Sequence, residues 1–197
     1  MAKTMTTSVM TDGQINRFME IFRGQLVTHA SEFSAEAVQA AFGRAGMPRD
    51  ILAAFRKHVE AESKMIVRHF KVDRTKTPTE LLAACNRVPW YIDDVVLKTM
   101  PTDGPEEGEL FFFPLERNTL VAEIPQVLDG HDLVPDYAAQ MQVNADDPAF
   151  AKEHPNGMQW KKNSYACFLR FGDGRGVGVI RSDSSWSGGI WFAGRRK

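Results

Sequence analysis

Apolar positions in the first third of the chain recur with the period of an α-helix. After a polar lead of about ten residues, apolar side chains fall at i, i+3, i+4, i+7 and i+11, namely at Ile15, Phe18, Met19, Phe22 and Leu26. A second helix is predicted from the N-cap Ser34, and a third opens at Pro48. Residues 1–62 are therefore predicted to form a three-helix unit, in which the first stripe serves as core or as interface.

The pattern becomes mixed from Met65 onward. The loosely alternating run MIVRHFKVD (65–73) predicts a strand, and TPTELLAAC (77–85) predicts a short helix with proline in its first turn. Two prolines, two glycines and three acidic residues make PTDGPEEG (101–108) a solvated loop. The apolar run ELFFFPL (109–115) that follows predicts a short buried strand.

Two helical stretches come next, over residues 120–130 and 135–155, and the second is broken near Asp147 and Pro148. Helix signals then cease, and from residue 157 onward β-branched and aromatic residues alternate with Gly, Ser and Asp. Asp173-Gly174 is a hairpin signal. This part of the chain predicts several short strands.

This order of elements predicts an α+β protein. A helical unit (1–62) is followed by a C-type-lectin-like mixed domain (63–197) with a short antiparallel sheet. The strand ELFFFPL is free to pair with the C-terminal IWFAGRRK (190–197).

Composition and charge exclude several classes of protein. The chain has 197 residues, of which 43% are hydrophobic, so it can bury a core without a metal or disulfide. With 24 basic and 25 acidic residues it is nearly neutral, which argues against nucleic acid as its main partner. Cys85 and Cys167 lack zinc or disulfide spacing and are predicted to be buried, reduced thiols.

No apolar segment reaches the roughly 20 residues that a membrane span requires, and the start MAKTMTTSVMTDG lacks the apolar run of a signal peptide. We therefore expect no membrane span and a cytoplasmic location.

Motifs for catalysis or metal binding are weak throughout. The five histidines show no HxxxH or HExxH spacing, and the adjacent acid pairs sit beside loop signals where solvated loops and helix caps explain them. The run GDGRGVGV (172–179) lacks the Lys-Ser/Thr ending of a phosphate-binding loop, and the C-terminal serines have no GxSxG context. We predict neither an enzyme nor a cofactor or metal site.

The most unusual pattern lies near the C-terminus. Val177 and Val179 are predicted to point inward at period two, so that residues 176, 178, 180 and 182 point outward together and form one binding face. The alternative is a pair of exposed Gly/Ser-rich strands with half-buried tryptophans beneath them.

Several blocks of the chain resemble a known family over nearly its whole length: QINRFMEIF, MIVRHFKVDRTKTPTELL, ELFFFPLER, NADDPAFAKEHPNGMQW and the closing WFAG-x-RK. The family occurs in candidate-phylum bacteria, and its members look like the variable proteins of diversity-generating retroelements. Its members have in common a closing V-x-V-x-R-x-D-x-x-W framework, which this chain also contains. The chain departs from it by being shorter around residues 172–174 and by having Ile190 where an aromatic is usual.

The resemblance implies a binding function without catalysis. Such retroelements change adenines in a template copy, and variable proteins present the resulting residues on a C-type-lectin-like fold, within about residues 168–191 here. The implied scaffold consists of Val177, Val179, Arg181, Asp183, Trp186 and Trp191. The implied ligand-binding positions are Gly172, Gly174, Gly176, Gly178, Ile180, Ser182, Ser184, Ser185, Ser187, Gly188, Gly189 and Ile190. The implied partner is a protein or surface ligand.

Two other functions stay open. The chain could be a non-diversified interaction module that binds a partner or a second copy through its N-terminal helices. It could also be a nucleic-acid accessory protein, because Arg170, Arg175, Arg181 and the terminal RRK stand among aromatic residues.

Overall fold

The computed structural model describes residues 10–161, 163–171 and 174–197. The chain divides into two compact units, Met1–His58 and Val59–Lys197, which we call the helical unit and the α+β unit. The predicted mixed α+β class is confirmed.

The helical unit contains α1 (Asp12–Thr28), α2 (Ala35–Phe42) and most of α3 (Met47–Glu62). The predicted N-cap Ser34 is confirmed, because its side chain accepts a hydrogen bond from the Ala37 amide at 3.1 Å. The rings of Phe18 on α1 and Phe55 on α3 lie 4.5 Å apart. None of the described residues 10–58 is buried, so these contacts do not amount to a closed core.

One large sheet organises the α+β unit. In space its strands follow the order β1, β3, β10, β6, β7, β8, β2, with β5 pairing β10, while β4 and β9 form a separate ladder. The strands are β1 (Ile66–Lys71), β2 (Val88–Ile92), β3 (Glu107–Pro114), β4 (Thr119–Leu120), β5 (Leu133–Val134), β6 (Asn156–Trp160), β7 (Ser164–Phe171), β8 (Gly174–Arg181), β9 (Ser185–Trp186) and β10 (Trp191–Arg196).

The pairing of ELFFFPL with the C-terminal strand is confirmed, since Phe113 of β3 lies opposite Phe192 of antiparallel β10. The sheet is larger than predicted and is mixed rather than antiparallel. Strand β10 pairs with β6 in parallel, and β2 pairs with β8 in parallel. Strand β2 was not predicted, because a parallel partner so distant in sequence leaves no local turn signal.

The α-helices of the α+β unit that follow α3 are, within its described residues, α4 (Pro78–Ala84), α5 (Asp94–Leu97), α6 (Ile124–Gly130), α7 (Tyr137–Asp146) and α8 (Phe150–Glu153). Helix α4 begins as predicted, with Thr77 as N-cap and Pro78 in the first turn. The break near Asp147 and Pro148 is also confirmed, because α7 ends at Asp146 and α8 starts at Phe150. Asp93 caps α5 by accepting bonds from the amides of Val95 and Val96.

The sheet is buried on both faces. Leu110 and Phe112 of β3 belong to one core cluster together with Val177 of β8, whereas Phe111 and Phe113 belong to a second cluster. Strands that are covered on both faces have continuous apolar sequences rather than alternating ones. This accounts for the uninterrupted run in β3.

A buried amide network fixes the start of β6. Gln140 and Asn144 of α7 each donate a side-chain hydrogen bond to the Asn156 side-chain oxygen, at 3.0 and 2.9 Å, and Asn156 donates one back to Asn144 at 3.2 Å. All three side chains are buried and mutually satisfied. The network therefore holds β6 in place beside the C-terminal strand.

Candidate ligand-binding segment

Strand β8 carries the first part of the predicted binding region. Val177 lies opposite Phe168 of β7, and Val179 lies opposite Ala166. All four side chains are buried in the same core cluster. The prediction that the two valines point inward is confirmed.

The opposite face of β8 is covered where we expected an exposed face. Gly176 and Gly178 are both buried, and Ile180 is half-buried opposite Tyr165. A Cβ atom added to Gly178 would lie 2.1 Å from Cζ2 of Trp90, which stands at an irregularity in the neighbouring strand β2. The expectation of exposure is wrong for Gly176 and Gly178, because the sheet has a covering layer on both faces.

The second part of the region, residues 182–190, leaves the sheet and is named here the serine–glycine segment. Its backbone is hydrogen-bonded to other parts of the α+β unit at both ends. The Ser182 amide donates to the Asn163 carbonyl at 3.0 Å, and the Gly188 amide donates to the Asn118 side chain at 2.9 Å. Gly189 and Leu115 are also bonded through the backbone, at 2.8 Å. These bonds fix the path of the segment through its main chain.

The candidate side chains of this segment are mostly exposed. Ser184, Ser185, Ser187, Gly188 and Gly189 are exposed, whereas Ser182 and Ile190 are half-buried. The hydroxyls of Ser182 and Ser184 are 2.7 Å apart and share a hydrogen bond.

The two glycines of the segment differ from its serines. Gly189 has φ of +85°, a conformation that favours glycine. A Cβ at Gly188 would lie 3.3 Å from the backbone of Arg117. The backbone therefore restricts replacement at these glycines, whereas no such restriction applies to Ser184, Ser185 and Ser187.

Trp186 anchors the middle of the segment. Its ring is buried against Tyr165 and Phe192, at centroid distances of 4.6 and 4.9 Å, and lies over Gly157, where a Cβ would come within 2.5 Å of Cζ3. The indole N–H donates to the Gln159 side chain at 2.9 Å. Trp186 thus divides the segment into two short exposed stretches joined by one buried side chain.

The remaining predicted scaffold residues have different environments. Trp191 is half-buried, with its ring 4.8 Å from that of His154. Arg181 and Asp183 are exposed, so they are not core residues. Asp183 nevertheless accepts a hydrogen bond from the Asn163 side chain at 2.9 Å, which links the segment to the turn before β7.

His154 belongs to a charged cluster behind Trp191. Burial alone would raise the pKa of Glu60, but hydrogen bonds from His154 and Arg68 outweigh it and lower that pKa to about 2. The Arg68 guanidinium lies 2.6 Å from the Glu60 carboxylate. This ion pair fixes the end of α3 beside β1.

Three further predicted binding positions are Gly172, Gly174 and Ile190. Gly172 and the predicted hairpin residue Asp173 fall outside the described residues. Gly174 begins β8 opposite Phe171 in an antiparallel pair, as the hairpin prediction requires. Ile190 packs against the second core cluster rather than standing free.

Cys85 is a buried thiol of the α+β unit. Burial raises the pKa of the Cys85 thiol to about 12, which keeps it protonated and unreactive. Its predicted burial is confirmed, whereas the side chain of Cys167 lies outside what the structure describes. Within the described ranges, no group of three His, Cys, Asp or Glu residues is placed to hold a metal ion.

An exposed apolar edge next to β8 was not anticipated from the sequence. Val88, Trp90 and Tyr91 of β2 and Val95 of α5 are all exposed, and β2 is the last strand of the sheet. The available signal was the run VPWYI (88–92), in which two aromatics stand between Asn86 and Asp93. Large exposed apolar groups of this kind are typical of interaction surfaces.

The fold and the segment together define an α+β protein with a mixed sheet that supports an exposed, small-residue segment near its C-terminus. Comparison with protein-family models, with curated proteins and with solved structures finds no match to this chain. In the described part of the chain, no helix is both long enough and apolar enough to cross a membrane.

Proposed function

We propose that this chain is a ligand-binding protein whose serine–glycine segment is diversified by a diversity-generating retroelement. Its α+β unit acts as a C-type-lectin-like scaffold, and its ligand is a protein or a surface structure. The family resemblance motivates this proposal, and the geometry of the segment supports it.

One observation carries the proposal. The groups that fix the path of the segment are different from the side chains that the segment exposes to solvent. Backbone hydrogen bonds from Ser182, Gly188 and Gly189, together with the buried ring of Trp186, fix its course. The side chains of Ser185 and Ser187 take no part in these contacts and are exposed. A segment built in this way can change its exposed side chains without changing its backbone.

The structure also narrows the proposed binding surface. Ser184, Ser185 and Ser187 are open to solvent, whereas Gly178 lies beneath Trp90. A larger residue at position 178 must displace the indole of Trp90. Each substitution at position 178 would therefore also change how far the Trp90 side chain is exposed. The proposed surface is therefore centred on the serines, with Trp90 as a constant neighbour of β8.

The present segment has few large side chains, and binding hot spots are usually Trp, Tyr or Arg. We therefore expect this copy to bind weakly, with Trp90 or Ile190 as its best apolar contact.

The decisive test is to sequence the codons for residues 168–191 across the source population, together with the neighbouring DNA. Substitutions confined to codons 184, 185, 187 and the other candidate positions, and matching adenines in a nearby near-copy, would support the proposal. A uniform sequence without a near-copy would overturn it and would leave a non-diversified interaction module as the better function.

A folding test with two matched libraries complements the sequencing. One library randomises Ser184, Ser185 and Ser187. The control library randomises the buried Trp186 of the same segment and the two residues that its ring contacts, Gly157 and Gln159. We expect most members of the first library and few of the second to resist protease digestion. Equal losses in both libraries would contradict the separation between scaffold and exposed side chains.

A further inference from the structure

A short two-stranded ladder holds the middle of the serine–glycine segment. Strand β9 pairs antiparallel with β4, so that Thr119 lies opposite Trp186 and Leu120 lies opposite Ser185. Residues directly opposite each other in an antiparallel pair point to the same face. Thr119 and Trp186 are buried, whereas Leu120 is 57% exposed and Ser185 is also exposed. The outer face of this ladder therefore sets an exposed leucine beside an exposed serine of the proposed binding surface.

The chain around Leu120 stays in contact with the rest of the serine–glycine segment. The Gly188 amide donates to the Asn118 side chain at 2.9 Å, and the Gly189 amide donates to the Leu115 carbonyl at 2.8 Å. We name residues 115–120 the companion segment. Because these bonds hold the two segments side by side, their exposed side chains belong to one continuous surface.

Leu120 is the exposed apolar side chain of the companion segment, and polar groups surround it. Its amide donates to one oxygen of the Glu123 carboxylate at 2.9 Å, and the Arg117 guanidinium donates to the other at 3.2 Å. These two bonds hold the pKa of Glu123 below its usual value, so the carboxylate stays charged beside the arginine. An apolar centre with a polar rim is the usual composition of a protein–protein interface.

The chemistry of this surface favours a protein as its occupant. An exposed leucine contributes to binding only when apolar atoms of the partner displace water from it. A polysaccharide presents mainly hydroxyl groups, which need polar partners instead. Arg117 and Glu123 cancel each other's charge, so the pair offers little attraction to the phosphates of a nucleic acid.

We propose that the companion segment is the second half of the binding surface, and that a protein ligand packs an apolar side chain against Leu120. This inference rests on the proposed ligand-binding function and adds to it the class of partner and an apolar contact that lies outside the diversified region. Ser184, Ser185 and Ser187 then vary beside Leu120, which supplies the same contact whichever residues they become. A segment with few large side chains can hold a ligand in this way.

The test displays the full chain on yeast as a library that randomises Ser184, Ser185 and Ser187. Clones are selected for binding to egg-white lysozyme as a protein probe and, separately, to dextran as a polysaccharide probe. In the lysozyme-binding clones, Leu120→Asn should raise the dissociation constant by about tenfold, because the apolar contact is lost. Leu120→Met keeps an apolar side chain of similar volume and should retain most of the affinity.

The matched control is Val59→Asn, which changes another exposed apolar side chain of the α+β unit and should leave the dissociation constant unchanged. Thermal unfolding of the purified clones verifies that Leu120→Asn keeps the fold. Lysozyme-binding clones that tolerate Leu120→Asn, or clones that bind dextran alone, would overturn this inference and leave the binding function standing. A library that binds neither probe would overturn the inference together with the proposed function.

Discussion

The α+β unit contains the same contact twice, once at the centre of its sheet and once at its edge. Trp186 lies over Gly157, and Trp90 lies over Gly178. The two glycines belong to one row across the sheet, because Cys167 of β7 is paired with both of them. In each case an indole occupies the space that a Cβ atom would need. The surroundings of the two rings are different.

The central ring is enclosed, whereas the edge ring is open. Trp186 is 6% exposed and donates a hydrogen bond to Gln159, while Trp90 is 44% exposed on the last strand of the sheet. A ring enclosed in a close-packed interior cannot move without disturbing its neighbours. The enclosed indole therefore excludes a larger residue at Gly157, whereas the open indole at the edge can move to accommodate one at Gly178.

The largest expected effect is that of Trp186→Ala. Removing a buried indole creates a cavity and leaves the Gln159 side chain without its donor, which should lower the free energy of unfolding by about 3 to 5 kcal/mol. Chemical denaturation monitored by circular dichroism measures this loss. The control Trp90→Ala should cost less, about 1 kcal/mol, because Trp90 is 44% exposed at the edge of the sheet. Equal losses for the two variants would contradict the comparison.

The second effect in size is that of Gly157→Ala. The added Cβ would lie 2.5 Å from a ring that Phe192 and Tyr165 hold in place, so either the ring or β6 must shift. Overpacking of this kind should cost about 2 kcal/mol. In a Trp186→Phe background, Gly157→Ala should cost less than it does in the native chain. A smaller cost would identify the indole as the obstacle. Additive losses would exclude that explanation.

The central strands of the sheet and several helix starts were predictable from the sequence. The pairing of β3 with β10 followed from two apolar runs, and the inward direction of Val177 and Val179 followed from their alternation. Helix starts at Ser34 and Thr77 followed from local capping chemistry. Each of these features is determined by neighbours along the chain or by a strong apolar signal.

The edge could not be predicted in the same way. Trp90 is 88 positions from the glycine that it covers, and the parallel pairing of β2 with β8 leaves no turn motif between them. The alternation of valine and glycine correctly assigned these residues to opposite faces of β8. It could not show that the face with Gly176 and Gly178 is also covered. Burial of that face depends on tertiary contacts that alternation does not encode.

The third prediction concerns Gly178→Ala. Its Cβ would lie 2.1 Å from Trp90, which is closer than in the central pair, yet the exposed ring can swing into solvent. Alanine also favours the strand over glycine, so the free energy of unfolding should change by no more than about 1 kcal/mol. Tryptophan fluorescence should shift to the red, and the shift should vanish in a Trp90→Phe background. A loss as large as that of Gly157→Ala would show that Trp90 is fixed and would exclude position 178 from the variable surface.

The smallest expected effect belongs to the exposed serines on either side of Trp186. Ser185→Asn and Ser187→Asn should change the free energy of unfolding by less than about 0.5 kcal/mol, because neither side chain supports the segment. Ser184→Asn should cost slightly more, since it removes the hydrogen bond to Ser182. Thermal unfolding of the three variants measures this order, with Gly189→Asn as a test of the backbone limit at φ +85°. If Ser185→Asn destabilised the chain as strongly as Gly157→Ala, the exposed serines would be part of the scaffold, and the separation on which the proposed function rests would fail.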